Sequence, residues 1–275
     1  VIQQLLATAG RHGRRTAALV FFPLPKQVLG TPKPHFYLTT PDERARLLRQ
    51  LGIELVITHP FNEQVRSIRA ADFVDLLVAH LDVKEIWVGP DFALGYQREG
   101  TVSFLRAQGK AKGFTVRTVD FFTVAGMGVS SSLIRRALSE GRIEDANRCL
   151  GRPFRLPGRG GKGEGRGRQL GFPTANLQIW EQHAYPALGV YAGRGWVENV
   201  CYPAAINIGL RPTLTAGAQM VIEAHLLDFA GDLYGREMAL DFIGRIRDEK
   251  RFDGREQLIA QLEADVAETR RLVGG

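Results

Sequence analysis

The sequence predicts an α/β chain built in two parts. A mostly parallel sheet with helices on both faces occupies residues 1–150. An antiparallel sheet or small barrel, ending in one helix, occupies 151–275. Three features predict this. Up to Leu150, short apolar runs alternate with segments of 3.6-residue apolar period, the pattern of crossovers in a parallel sheet. From Gly151 to Gly171 the composition turns rich in Gly and Arg. Beyond that, strand-like runs follow one another with only turn signals between them.

Taken in order, the first ten residues place Ile2, Leu5, Leu6 and Ala9 on one helical face. Ala17–Phe22 reads as a buried strand stopped by Pro23 and Pro25. The next helix has strong start signals: Thr40 caps it, Pro41 takes the first helical position and Glu43 completes a capping box. Its apolar face runs through Ala45, Leu47, Leu48 and Leu51, and Gly52 ends it. Leu55–Thr58 is a strand, Ala70–Leu81 a helix and Glu85–Val88 a third strand. A short helix follows at Val102–Gln108, a fourth strand at Phe114–Val119, and helices at Ser131–Glu140 and Ile143–Leu150. In the second part, strands are expected at Gly189–Trp196, Ala204–Ile208, Val221–Phe229 and Met238–Ile246. A final helix, Arg255–Leu272, carries Leu258, Ile259, Leu262 and Val266 on one face. Ligands of parallel sheets bind beyond the carboxyl ends of the strands, so the loops after Phe22, Val88 and Val119 are expected around one site.

Hydrophobic residues make up 44% and charged residues 24%, a globular composition. No apolar run reaches the roughly 18 residues that span a bilayer, so no membrane association is expected. The N-terminus lacks the continuous apolar stretch of a signal peptide. Cys149 and Cys201 are the only cysteines, which argues against a disulfide framework or a cysteine zinc site and for a reducing, cytoplasmic setting. The net charge of +7 is concentrated early, with 20 Lys and Arg against 14 Asp and Glu in residues 1–150 and 16 against 15 beyond. Nucleic acid or small anionic substrates would suit that charge equally. The chain opens with Val inside a helical pattern, so it reads as a fragment or processed form lacking an upstream segment.

Four segments could carry chemistry. GRGRQLGFPTANL, residues 165–177, joins Gly-rich backbone able to nest phosphate oxygens to Thr174 and Asn176, two residues apart and on one face of an extended chain. A hydroxyl and an amide oxygen so placed can hold Mg2+; a turn leading into a strand is the alternative. IEAHLLDF, residues 222–229, puts Glu223, His225 and Leu227 on one strand face. Glu223 could accept the proton of an attacking hydroxyl or be a solvated strand residue, and His225 is taken as a hydrogen-bonded packing residue. In GVSSSLIRRAL, residues 128–138, Ser130, Ser131 or Ser132 can cap a helix whose N-terminus, with Arg135 one turn in, could bind phosphate. In VGPDFALGYQREG, residues 88–100, Asp91, Phe92, Gly95 and Arg98 could line a cleft beyond a strand's end. GRGGKG, residues 158–163, satisfies G-x-G-x-x-G without a clear preceding strand, and Lys162 is followed by Gly163 where a Walker A loop needs Ser or Thr.

In order and spacing these motifs resemble the bacterial bifunctional riboflavin kinase/FAD synthetase family, over nearly the whole chain. The most specific part is GRQLGFPTANL followed by EAHLLDF, DLYG (232–235) and RDEKRF (247–252); VGPDFALGYQREG, GVSSSLIRRAL and LGRPF (150–154) carry the N-terminal part. The resemblance implies a nucleotidyltransferase-like parallel-sheet domain over 1–150 and a riboflavin kinase β-barrel over 151–275, with ATP and Mg2+. It implies that Gly171, Thr174 and Asn176 hold Mg-ATP, that Thr174 and Asn176 are the metal contacts, and that Glu223 is the catalytic group acting on the ribityl 5′-hydroxyl. Arg247 and Glu249 would contact the flavin. In the first domain Asp91, Phe92, Arg98, Ser131, Ser132 and Arg135 would bind ATP and FMN. Riboflavin, FMN and ATP are thus the expected partners, and nucleic acid is not; a Gly/Arg-rich RNA-binding protein is the alternative, tested by the salt dependence of RNA affinity.

The chain also departs from the pattern. The family's H-x-G-H segment is expected just before Val1 and is absent from the sequence, so the first domain reads as incomplete and little FAD synthesis is expected of this chain. The first strand ends FFPLP, less polar than is usual, and Leu133 stands where Arg is common. At Gly160–Gly161 two β-branched residues are usual, so the first barrel strand is expected to fray there.

Overall fold

The structure, a computed structural model, describes residues 2–124, 126–161, 167, 170–213 and 217–274. Of the Gly-rich motifs, Lys162, Gly163, Gly165, Arg166, Arg168 and Gln169 lie outside the described residues. The chain forms two compact units: Val1–Lys33 with Thr40–Thr123, and Pro34–Thr39 with Val124–Gly275.

In the first unit the four longer strands are parallel, but their hydrogen bonds divide them into two pairs instead of one sheet, and a short antiparallel pair, Ala93–Leu94 with Gly100–Thr101, stands apart. Ala17–Phe22 pairs with Leu55–Pro60, and Glu85–Val88 with Thr115–Thr118. Arg14 spans the two pairs, its Nη1 3.0 Å from Glu85 Oε1. Thr40 Oγ1 accepts the Glu43 amide, so that helix, Pro41–Gln50, begins where its cap dictates. Helix Ala70–Leu81 matches its periodicity and packs Val74 against Leu105 and Phe114. The next helix runs from Val102 to Lys112, past its expected end at Gln108. Gly109 sits inside it because a Cβ there would collide with the Phe114 carbonyl, and the helix stops at Gly113, whose φ is 81°. Helices Pro25–Leu29 and Glu63–Ser67 were not legible, because five residues are too few to show a 3.6-residue period.

In the second unit six strands close into an antiparallel barrel. Around it the order is Ala175–Ile179, Gly217–Leu226, Val200–Thr213, Gly189–Val197, Glu237–Arg247 and Phe154–Gly161. Even-numbered residues from 204 to 208 and from 222 to 226 point inward: Ala204, Ile206, Ile208, Ile222, Ala224 and Leu226 join Phe154, Leu156, Tyr191, Leu240 and Phe242 in the core. Full burial of each large apolar side chain contributes about 1.5–3 kcal/mol. Val200–Thr213 outruns its expected span, Ala204–Ile208: that span is paired on both sides, whereas Val200–Pro203 pairs only with Gly189–Val197 and Gly209–Thr213 only with Gly217–Leu226, each continuing as one arm of a hairpin.

The expected fraying at Gly160–Gly161 does not occur. Gly160 faces Leu177 and Gly161 faces Asn176 in the ladder. A Cβ on Gly160 would collide with the Leu233 carbonyl and one on Gly158 with the Gln178 carbonyl, so these glycines admit close backbone approach. Gly158–Gly161 is therefore barrel strand, neither dinucleotide loop nor RNA-binding tail. Helices Ser131–Ser139 and Ile143–Leu150 add Ile134, Ala137, Leu138, Ile143 and Ala146 to the barrel core. Tyr37 is 1% exposed; its amide donates to the Gln182 carbonyl at 3.0 Å and its ring lies 4.8 Å from that of Trp180.

Candidate functional site

On the outer face of the barrel lies a cavity of about 420 Å³. Strand alternation builds its floor. With even residues turned inward, Ala205, Asn207, Gly209 and Arg211 on one strand and Val221, Glu223 and His225 on its neighbour turn outward and line it. The terminal helix, Arg255–Val273, forms an apolar wall through Leu258, Leu262 and Val266, to which Phe252 adds. The segment before Ala175 closes the other side through Gly167, Leu170, Phe172 and Thr174. The cavity thus has one apolar end and one rich in hydroxyl, amide and carboxylate groups, as small-molecule sites do.

Thr174 and Glu223 share this cavity. Glu223 stands directly opposite Asn176 on one neighbouring strand and Asn207 on the other, so three polar side chains form a row across three strands. Arg211 Nη2 donates to Glu223 Oε1 at 3.2 Å. Gly171, with φ 88°, makes the turn ahead of the motif. His225 is hydrogen-bonded as well as packed, as its reading from the sequence has it. Its Nδ1 lies 2.8 Å from the Pro173 carbonyl and its ring meets Phe172 edge-on at 5.6 Å. A carbonyl only accepts, so in this arrangement Nδ1 carries the proton and holds the loop that carries Thr174. Leu227 does not share the face of Glu223: the strand ends at Leu226, Asp228 takes φ 62°, and Leu227 is buried, 2% exposed.

Arg247 lines the cavity with its guanidinium engaged by Asp265 of the terminal helix, Nη2 to Oδ2 at 2.6 Å and Nε to Oδ1 at 2.9 Å. Asp265 is buried and Arg247 partly so, and the pair ties the helix to the barrel. Glu249 also lines the cavity, and a Cβ on Gly209 would collide with its carboxylate. Glycine at 209 is what lets Glu249 lie against that strand.

The residues assigned to the other nucleotide site fall in different units. Asp91, Phe92 and Arg98 follow the strand Glu85–Val88, all three exposed, with Arg98 Nη2 donating to the Asp91 carbonyl at 3.0 Å. In the second unit Ser130 is the helix cap, its Oγ accepting the Leu133 amide at 3.2 Å, and Ser131 and Ser132 are exposed at the first turn. Arg135 lies 4.0 Å over the Phe36 ring and donates to the Phe36 carbonyl; burial lowers its pKa. Sequence reasoning missed Asn207 and Arg211. Alternation within the expected strand Ala204–Ile208 already puts Asn207 on the face opposite the core, and extending it beyond Ile208 would have put Arg211 there too.

Residues 1–133 match the family model described as FAD synthetase, and residues 150–273 the one described as Riboflavin kinase. A bifunctional riboflavin kinase/FMN adenylyltransferase of Pseudomonas fluorescens is 38% identical, covering 99% of this chain and 87% of that protein. The protein of the same description from Escherichia coli strain K12 is 36% identical, covering 100% of this chain and 88% of that protein. A crystal structure described as a macrolide-efflux protein from Streptococcus pneumoniae has a TM-score of 0.89 at 29% identity, over 98% of this chain and 88% of that one. Among the described residues no helix is long and apolar enough to cross a membrane. Fold and matches define a transferase with a kinase part and a nucleotidyltransferase part. The chain belongs to the bifunctional riboflavin kinase/FMN adenylyltransferase family.

Proposed function

We propose that the barrel phosphorylates riboflavin to FMN at the expense of ATP, with Glu223 as the base and Thr174 and Asn176 on the nucleotide side. The observation that carries this is Thr174 and Glu223 lining one cavity with an apolar wall. Its volume of about 420 Å³ suits a flavin-sized molecule. The isoalloxazine would lie against Leu258, Leu262 and Phe252, near Arg247 and Glu249, and the ribityl chain would run toward Glu223. As the 5′-hydroxyl oxygen attacks the γ-phosphorus, its proton passes to Glu223, the bond to the β–γ bridging oxygen breaks and ADP leaves. Positioning and charge neutralisation are the main demands of such a transfer.

Hydroxyl and amide oxygens suit Mg2+, and Thr174 and Asn176 would hold it. Among the described residues no cluster of three or more His, Cys, Asp or Glu could hold a metal, so the ion would take its remaining ligands from triphosphate and water. When bound, Mg2+ would neutralise charge on the phosphates.

We assign the kinase to 151–275 and the adenylyltransferase part to 1–150, with Asp91, Phe92 and Arg98 serving ATP and FMN there. The free cysteines Cys149 and Cys201 favour a cytoplasmic setting. The test is turnover of riboflavin with Mg-ATP, read as FMN by chromatography; folded protein giving none above background overturns the kinase assignment. The same assay started from FMN reads FAD synthesis.

A further inference from the structure

Arg211 belongs to none of the motifs that pointed to the site, yet it is the partner of Glu223. The two are not cross-strand neighbours: Arg211 faces Gln219 in the ladder, whereas Glu223 faces Asn207. Arg211 therefore reaches back along its own strand to place Nη2 3.2 Å from Glu223 Oε1. Between Asn207 and Arg211 on that outward face stands Gly209, where the Glu249 carboxylate lies against the strand. Both partners are half-buried, with side chains 33% and 29% exposed, so the contact is not a fully solvated ion pair.

We propose that Arg211 is a positioning residue for phosphoryl transfer: by holding Glu223 Oε1 it turns Oε2 toward the attacking hydroxyl. A glutamate has three side-chain torsions, and a catalytic group must be held within about 0.5 Å of its productive place. The charge-assisted bond from Arg211 removes much of that freedom and occupies one oxygen. During transfer the hydroxyl proton moves to Oε2, the new oxygen–γ-phosphorus bond forms as the β–γ bridge breaks, and Arg211 stays on Oε1. This inference rests on the kinase reading above.

The test is a double-mutant cycle on the full chain with riboflavin and Mg-ATP. Turnover by the unaltered chain checks the kinase reading separately. Arg211→Gln is expected to lower kcat by about 10- to 100-fold, the range for a misplaced group, with riboflavin affinity by fluorescence quenching unchanged. In a Glu223→Gln background the same change is expected to do nothing further to kcat, because its effect runs through the carboxylate. Arg211→Lys should recover part of the rate, and it replaces Arg211→Gln in the cycle if the glutamine variant does not fold. Losses that multiply in the double variant, or normal kcat in the single one, would overturn the proposal.

Discussion

Glu223 and Thr174 bound the polar end of the cavity from two separate segments of chain, and their chemistry sets the sharpest tests. Glu223→Gln keeps the shape and removes the basic oxygen; kcat for FMN formation should fall by about 10²-fold or more, with riboflavin binding retained. His225 acts one step further out. With Nδ1 on the Pro173 carbonyl it restrains the Thr174 loop, so His225→Ala should raise KM for ATP more than it lowers kcat, as steady-state kinetics would read. Much of this was legible in the sequence. PTAN and the strand glutamate are short, specific patterns, and alternation put Glu223 and His225 on one face. Asn207 and Arg211 were not legible, because their meaning lies in which rungs of a neighbouring strand they stand beside, and register is set by the closed barrel.

The terminal helix was plain from its period, but what holds it was not. Arg247 and Asp265 lie 18 residues apart in the sequence and form a part-buried bidentate pair. Asp265→Asn leaves the guanidinium without its counter-charge, at a cost below the roughly 3–5 kcal/mol of a fully buried pair because Arg247 keeps some contact with solvent. Thermal unfolding should show a clear fall in Tm, and riboflavin affinity should weaken because the same helix supplies the cavity's apolar wall. In the first unit, Glu99 accepts from Arg69 and from the Ala70 amide at the start of helix Ala70–Leu81. The Arg69 bond first, and the amide second, hold the Glu99 carboxyl below its ordinary value. A depressed carboxyl contributes stability that is complete above its unfolded pKa of about 4.3 and is lost as pH falls through the lower folded value. Glu99→Gln should therefore flatten the acid side of a Tm-against-pH curve. The effect should be modest and salt-sensitive, since the pair is exposed.

Across the whole molecule, chain order and spatial membership part company at Pro34–Thr39, which lies early in the sequence yet belongs to the barrel unit. Tyr37, buried against Trp180 and bonded to the Gln182 and Ala184 backbone, makes a direct test. Tyr37→Ala should destabilise the barrel by about 3–5 kcal/mol, the usual cost of deleting a buried aromatic ring. Thermal inactivation of FMN formation at lower temperature would show it, although the substitution lies over a hundred residues before the cavity strands.

By itself the sequence determined the kind and order of most elements, because caps, helical period and strand alternation act over only a few residues. It also determined which family's motifs the chain carries. Only the tertiary structure decided that the Gly158–Gly161 run is a packed barrel strand, that Gly209 makes room for Glu249 and that Arg211 grips Glu223. Each of those depends on atoms from segments distant along the chain meeting within a few ångströms, and such encounters leave no local signature in either segment.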